Sequence, residues 1–135
     1  MTERERLKFL EFEFVKDADG RCRSRVLLER KPGEVYEGAA NILGSEAGEL
    51  RCAAQAATEA LQQAVGAKMQ FELLGVKAVR AFDAMVVIVS LTCHNGIPAT
   101  RLVGSCLSDK DQHRCAALAV LNATNRLLGN TVFMR

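Results

Sequence analysis

The sequence predicts an α+β domain made of two pseudo-symmetric βββα units, in which antiparallel sheets pack against two helices. The tetrapeptide Arg-Cys-Ala-Ala occurs twice, at residues 51–54 and 114–117. Each copy follows a strand-like alternation that ends near a glycine, and each opens an alanine-rich helical run. A supersecondary unit that is written twice predicts two similar units, neither of which can bury its apolar face alone.

The first unit is expected over residues 8–66. Leu10, Phe12 and Phe14 alternate with glutamates, which is typical of a strand with one buried face. Glycine-containing turns separate the strands that follow. The strands are expected at residues 10–14, 21–30 and 35–40, and the helix at residues 49–65. The polar residues of this helix, Arg51 and Thr58 among them, are expected to stay in water.

The second unit, over residues 67–130, repeats this order. Its strands are expected at residues 69–80, 82–93 and 99–107, and its helix at residues 108–128. The segment 85–91 is apolar on both faces, which predicts a central strand that is covered on both sides. Ser108 is predicted to cap the last helix, with Asp109 and Asp111 favoured by the positive end of the helix dipole.

Length and composition indicate one soluble globular domain over residues 1–135. The chain is 49% hydrophobic and 25% charged, which argues against disorder. A net charge of +2 is too small to indicate nucleic-acid binding. The most apolar run, at residues 84–91, is too short to span a bilayer, and the charged start does not resemble a signal peptide. We therefore expect a cytoplasmic protein with no membrane or nucleic-acid partner.

A row of arginines is the feature closest to a nucleic-acid or anion site. Arg21, Arg23 and Arg25 alternate on one face of the second strand. No aromatic residue is interleaved with them for base stacking. We favour a solvated face that discourages pairing at the sheet edge.

The five cysteines include no C-x-x-C pair, and without an export signal they are expected to be reduced and to pack as small hydrophobic residues. Cys93, His94, His113 and Cys115 are the ligand types of a zinc site, and a zinc-dependent enzyme is the weakest of our alternatives. Adjacent and one-apart ligands rarely point at one ion. We predict no metal and no cofactor.

The last helix carries a second apolar stripe that the first helix lacks. A shift of 63 positions carries the polar Gln55, Thr58 and Gln62 onto Leu118, Leu121 and Asn125. With Leu128, these residues predict a dimer or partner interface. The alternative is internal packing against the first helix.

Several segments in a fixed order resemble the C-terminal regulatory domain of 2-isopropylmalate synthase, the leucine-responsive dimer domain. The first are Phe71-Glu-Leu-Leu-Gly-Val-Lys-Ala-Val79, the tripeptide Phe82-Asp-Ala and the strand at residues 86–91. The others are residues 104–111 and a closing helix, 115–128, that ends in Asn-Arg-Leu-Leu. The resemblance implies the predicted fold and a non-catalytic regulatory or dimerisation domain. The chain corresponds to that domain alone, without the catalytic barrel that it normally regulates.

Pseudo-symmetry suggests where a ligand would bind. The loops at residues 41–48 and 104–111 should converge at the two helix starts, where unpaired amide groups favour a carboxylate. A small carboxylate-bearing metabolite such as an amino acid is the expected effector. The predicted ligand-binding residues are Asn41, Gly44, Ser45, Gly104, Ser105, Asp109 and Asp111.

Two other interpretations of these loops stay open. In the first, the loops only cap the helices and the protein is a ligand-free scaffold or a protein-interaction module. In the second, Ser105, Ser108 and His113 supply a nucleophile and a base. A role at the helix start already accounts for Ser108 and the aspartates, so we predict no catalytic residue.

Overall fold

The computed structural model describes residues 7–94, 99–108 and 110–125. The first unit contains three strands, a helix and a short 3₁₀ turn: β1 (Lys8–Lys16), β2 (Arg21–Glu29), β3 (Val35–Leu43), α1 (Glu46–Val65) and Gly66–Lys68. The second unit contains β4 (Gln70–Ala81), β5 (Ala84–His94), β6 (Thr100–Ser108) and α2 (Gln112–Asn125). The predicted α+β class with two βββα units is confirmed.

Each unit forms its own antiparallel sheet, in the order β1-β2-β3 and β4-β5-β6. The central strand is β2 in sheet 1 and β5 in sheet 2. The first strand of each sheet carries an irregularity at an exposed leucine, Leu10 in β1 and Leu74 in β4. The repeat in the sequence therefore reappears in the pairing of the strands.

The two helices lie next to each other between the two sheets. Helix α1 packs on β2 and β3 and also contacts β4, while α2 packs on β5 and β6 and contacts α1. Strand β1 reaches α2 through side chains: the rings of Phe14 and His113 stack with centroids 3.9 Å apart. The guanidinium of Arg114 lies over Phe9, 4.9 Å from the ring centroid. Each helix thus touches both sheets, and the core is the layer of helices.

One glycine in each unit lets the helix approach its sheet. A Cβ on Gly38 would collide with the backbone of Ala56 and Ala60 in α1. A Cβ on Gly104 would collide in the same way with the backbone of α2, where its distance to the Cα of Ala123 would be 2.7 Å. Alanine-rich helices suit this arrangement because short side chains allow close contact between layers.

Most of the polar side of α1 is at least partly covered, contrary to the prediction, while Gln63 is exposed as expected. The Arg51 guanidinium donates to the carbonyl oxygen of Leu73 in β4 at 3.1 Å. The Gln62 side chain bonds to the backbone of Met69 and Phe71. Thr58 is buried and donates to the carbonyl oxygen of Ala54 at 2.8 Å. The cause is β4, which covers this side of the helix.

Both helix starts differ in detail from the prediction. Helix α1 begins at Glu46, and the Ser45 hydroxyl accepts from the amide of Gly48 at 3.0 Å. Helix α2 begins at Gln112, and Asp111 caps it by accepting from the amide of Arg114 at 3.0 Å. Ser108 does not cap it, because β6 continues through Ser108 and buries it.

The β4–β5 hairpin turns at Phe82, which was predicted to start a strand. Its φ is 60°, in the left-handed region that bulky residues rarely adopt, and its side chain is fully exposed. Strand β5 is central, as expected, but within residues 7–94, 99–108 and 110–125 only its inner face is fully buried. Val86 and Ile88, on its outer face, are half-buried.

The expectation that all cysteines are reduced is wrong for one pair. Cys106 in β6 and Cys115 in α2 form a disulfide, with Cα atoms 5.4 Å apart. In the first unit the equivalent positions are Ala40 and Cys52, and the Cys52 thiol lies 3.5 Å from the carbonyl oxygen of Ala40. The second unit therefore carries a covalent link where the first has a packed thiol.

The second apolar stripe of α2 turns inward over most of its described length. Leu121 is fully buried within the chain, so it is not an exposed contact for a partner, and Leu118 is half-buried. The side chain of Asn125 and all of Leu128 lie outside the described residues. Leu121 corresponds to the buried Thr58 of α1, and both belong to the layer of helices.

Candidate functional site

The two helix starts lie side by side, as the pseudo-symmetry predicted. Glu49 is in the first turn of α1 and His113 is in the first turn of α2. The Oε1 atom of Glu49 lies 3.0 Å from Nε2 of His113. These residues are 64 positions apart in the chain, and their contact joins the two units.

Charged groups surround this contact. The Nζ atom of Lys16, at the end of β1, lies 3.0 Å from Oε2 of Glu49. An oxygen of Asp111 lies 4.0 Å from Nδ1 of His113. The imidazole therefore lies between two carboxylates while its face stacks on Phe14.

The pKa of the Glu49 carboxyl is lowered. The main cause is the hydrogen bond from Lys16, and the contact with His113 acts in the same direction against the opposing effect of burial. Glu49 is therefore a carboxylate at neutral pH. It is held in place by two partners from different units.

An open cleft of about 650 Å³ lies beside this cluster. Its apolar part is formed by residues of α1, β4 and β5, chiefly Leu50, Val76, Ala78 and Met85. Its charged part is formed by Lys77 of β4 and by residues of the helix starts: Glu49, Lys110, Asp111 and His113. The volume lies within the range of small-molecule sites, and an apolar lining with a few polar groups is typical of them.

Of the six predicted ligand-binding residues that the structure describes, only Asp111 lines this cleft. Gly44 donates its amide to the carbonyl oxygen of Gly20 at 2.7 Å, and Ser45 caps α1. Gly104 is covered by α2, and the amide of Ser105 donates to Asn122 at 3.1 Å.

Asn41 lies in β3, away from the cleft, and accepts from Arg21 at 2.7 Å. Asp109 lies outside the described residues. The predicted loops are shorter than expected because β3 continues to Leu43 and β6 to Ser108.

The predicted set of ligand-binding residues does not include Glu49, His113 or Lys110. It also includes none of the apolar residues that line the cleft, which we call the apolar wall: Leu50, Val76, Ala78 and Met85. One signal was available for Glu49 and His113: both lie within the first turn of their helices, and the helix starts were expected to meet. The apolar wall could not be found in this way, because it depends on how β4 and β5 pack beside α1.

Two of the three arginines in the row, Arg23 and Arg25, are neutralised within the chain. Arg23 donates two hydrogen bonds to the carboxylate of Asp17, at 2.8 and 3.0 Å, and this contact lowers the pKa of Asp17. Arg25 contacts Glu11 at 2.6 Å and Glu13 at 3.3 Å. These internal partners support the interpretation as a solvated face.

The hypothetical zinc ligands do not converge. Cys93 is buried near the end of β5, and about 20 Å of strand separates its position from the part of β5 beside Cys106 and Cys115. Cys115 is also committed to the disulfide. Among the described residues, no group of three or more His, Cys, Asp or Glu side chains could hold a metal ion.

The cleft combines charged groups of both signs with apolar side chains. Its described lining holds an imidazole, two carboxylates and two lysines, Lys77 and Lys110, and it contains no serine, threonine or cysteine. Ser105 and Ser108 do not line it. Charged groups of both signs beside an apolar wall suit a small molecule with both charged and apolar parts.

Comparison with known proteins adds no relative. No protein-family model matches the chain, and no curated protein matches it. The resemblance to the regulatory domain of 2-isopropylmalate synthase therefore stays a prediction that rests on the residues quoted above. In the described residues, none of the helices has both the length and the apolar character needed to cross a bilayer.

Proposed function

We propose that this chain is a non-catalytic regulatory domain that binds a small carboxylate-bearing metabolite, with an amino acid as the first candidate. The binding site is the cleft at the two helix starts. The observation that carries the proposal is the contact between Glu49 and His113, which brings both units to one cleft. A ligand that fills the cleft would touch both units, so its binding would change how firmly they are held together.

The charges and the apolar wall support an amino acid over a purely anionic or purely apolar ligand. Two lysines, Lys110 and Lys77, offer cations for a carboxylate. Asp111 and Glu49 offer anions for an ammonium group. Leu50 and Met85 offer apolar contact for a side chain. The cleft therefore favours a zwitterion with an apolar side chain.

Isothermal titration calorimetry with a panel of amino acids and 2-oxo acids tests the proposal. We expect one of the amino acids to bind and Lys110→Glu to weaken its binding about tenfold or more, because the variant places a carboxylate beside the ligand carboxylate. Lys8→Glu, an exposed site at the start of β1, is the matched control and should leave the affinity unchanged. No binding across the panel, or equal affinity in Lys110→Glu, would contradict the proposal.

A scaffold function is the second candidate, and a specific observation favours it. Sheet 2 presents an exposed apolar face that includes Val103 and Leu107. In either function the cytoplasmic location stays a prediction, and the Cys106–Cys115 disulfide weighs against it because disulfides are rare in the cytosol.

A further inference from the structure

The outer faces of the two sheets differ strongly in character. A shift of 63 positions carries Arg23 and Arg25, on the outer face of β2, onto Val86 and Ile88 of β5. The arginines take part in ion pairs across sheet 1. The outer face of sheet 1 also exposes Val15, Val35 and Leu43, so the contrast between the sheets lies in their central strands. The fold tolerates charge on the outer face of a central strand, and the apolar outer face of β5 needs a separate explanation.

Apolar side chains of sheet 2 lie in neighbouring rows of its outer face. The strand register places Val79, Val86 and Leu107 in one row across the sheet, and Ile88 lies in the next row between Lys77 and Ser105. Val103 and Leu107 are 62% and 64% exposed. The hairpin that follows Val79 carries the fully exposed Phe82. Segment 85–91 has the sequence of a strand covered on both sides, but the residues that the structure describes cover only one.

We propose that the outer face of sheet 2 binds the same face of a second copy of this chain. The twofold axis lies in the interface, parallel to β5. Under this rotation each row of residues faces the same row of the partner, and β4 faces the partner's β6. The two sheets therefore pack face to face with aligned strands. This inference is independent of the proposed ligand site.

Charge complementarity is the main argument for a second copy as the occupant. Glu72 and Arg101 lie in one row at the two edges of this face, on β4 and β6. Both are exposed, and within the described part of the chain no ion pair involves either one. The twofold axis places Glu72 opposite the partner's Arg101 and Arg101 opposite the partner's Glu72.

Under this symmetry apolar side chains also face apolar side chains of the partner. Val79 lies opposite the partner's Leu107, and Ile88 lies opposite the partner's Ile88. The arrangement covers the outer face of β5, which is the face that the amino-acid pattern predicts to be buried. Sheet 1 offers no comparable self-match, because its outer face is already occupied by its own ion pairs.

Analytical ultracentrifugation over a wide concentration range tests the proposal with two matched variants. Leu107→Lys places a charge in the interface, whereas Leu43→Lys places one on β3 of the other sheet, at a leucine with a similar exposure of 67%. We expect a dimer for the unchanged chain and for Leu43→Lys, and a dimer about tenfold weaker or more for Leu107→Lys. Circular dichroism should show the same fold for all three.

Exchanging the charges of Glu72 and Arg101 tests the position of the twofold axis. Glu72→Arg and Arg101→Glu should each weaken the dimer, because each creates like-charge pairs. The double variant should restore it, because the pairs form again with reversed signs. A chain that is monomeric at every concentration, a dimer that Leu107→Lys leaves unchanged, or a double variant no better than the single ones would overturn the proposal.

Discussion

Gly38 and Gly104 occupy equivalent positions on the third strand of each sheet, opposite Val26 and Val89 of the central strands. At both positions the helix backbone lies where a Cβ would be. Neither glycine has a positive φ, so close approach and not backbone conformation requires glycine here. At the scale of single residues, these two glycines set the spacing between each helix and its sheet.

Gly104→Ala should lower the free energy of unfolding by roughly 3 kcal/mol or more, because α2 must move away from the sheet to admit the methyl group. Gly38→Ala should have a similar effect through α1. Gly75→Ala is the matched control, since a Cβ there meets nothing within 4 Å. Urea unfolding monitored by circular dichroism measures all three. Equal stability of Gly104→Ala and Gly75→Ala would refute the close approach.

The site residues show what local sequence can predict. Asp111 was predicted because an aspartate before a helical run is a strong helix-start signal. Asn41 was predicted wrongly as a loop residue because the third strand was expected to end at residue 40. Ser105 was assigned to the loop at residues 104–111 although the strand expected at residues 99–107 already contained it. His113 was weighed as a possible base, but its pairing with Glu49 depends on how the units meet.

At the scale of elements, the disulfide distinguishes the second unit from the first. It joins β6 to the first turn of α2, next to the residues that line the cleft. The remaining cysteines of the chain, Cys22, Cys52 and Cys93, are buried free thiols. Burial raises the pKa of the Cys93 thiol and, with the neighbouring Cys22, raises the pKa of Cys52 to about 12, so neither is a ready nucleophile at neutral pH.

Thiol titration under denaturing conditions tests the disulfide. Protein purified without a reductant should contain three reactive thiols, and reduced protein should contain all five. Replacing both Cys106 and Cys115 by alanine should lower the free energy of unfolding by about 2.5 kcal/mol, the expected effect of losing a closed loop of nine residues. Cys93→Ala is the control for burial alone. Five thiols before reduction would show that the pair is not linked.

At the scale of the whole molecule, stability depends on both units being present. Cys52, Ala56 and Ala60 lie on the side of α1 that faces its own sheet. Ala54 and Leu61 lie on the opposite side of the helix, and both are fully buried. Contacts with α2 and β4 cover that side, so the burial of this side of α1 depends on the second unit.

The separated halves, residues 1–68 and 69–135, should therefore be unfolded or aggregated alone, because each would expose one side of its helix. Mixing them should restore helical circular dichroism and cooperative melting. The intact chain is the reference for both signals. A stably folded, monomeric half would contradict the interdependence of the units.

The sequence by itself determined the repeat, the order of strands and helices and the α+β class, because periodicity, turns and caps are properties of neighbouring residues. Only the tertiary structure decided that Glu49 meets His113, that Cys106 links to Cys115, and that Leu121 turns inward. These contacts join positions on different elements, and they depend on which faces of α1 and α2 lie between the two sheets. Local patterns specify that a face is apolar, but the packing of whole layers determines what covers it.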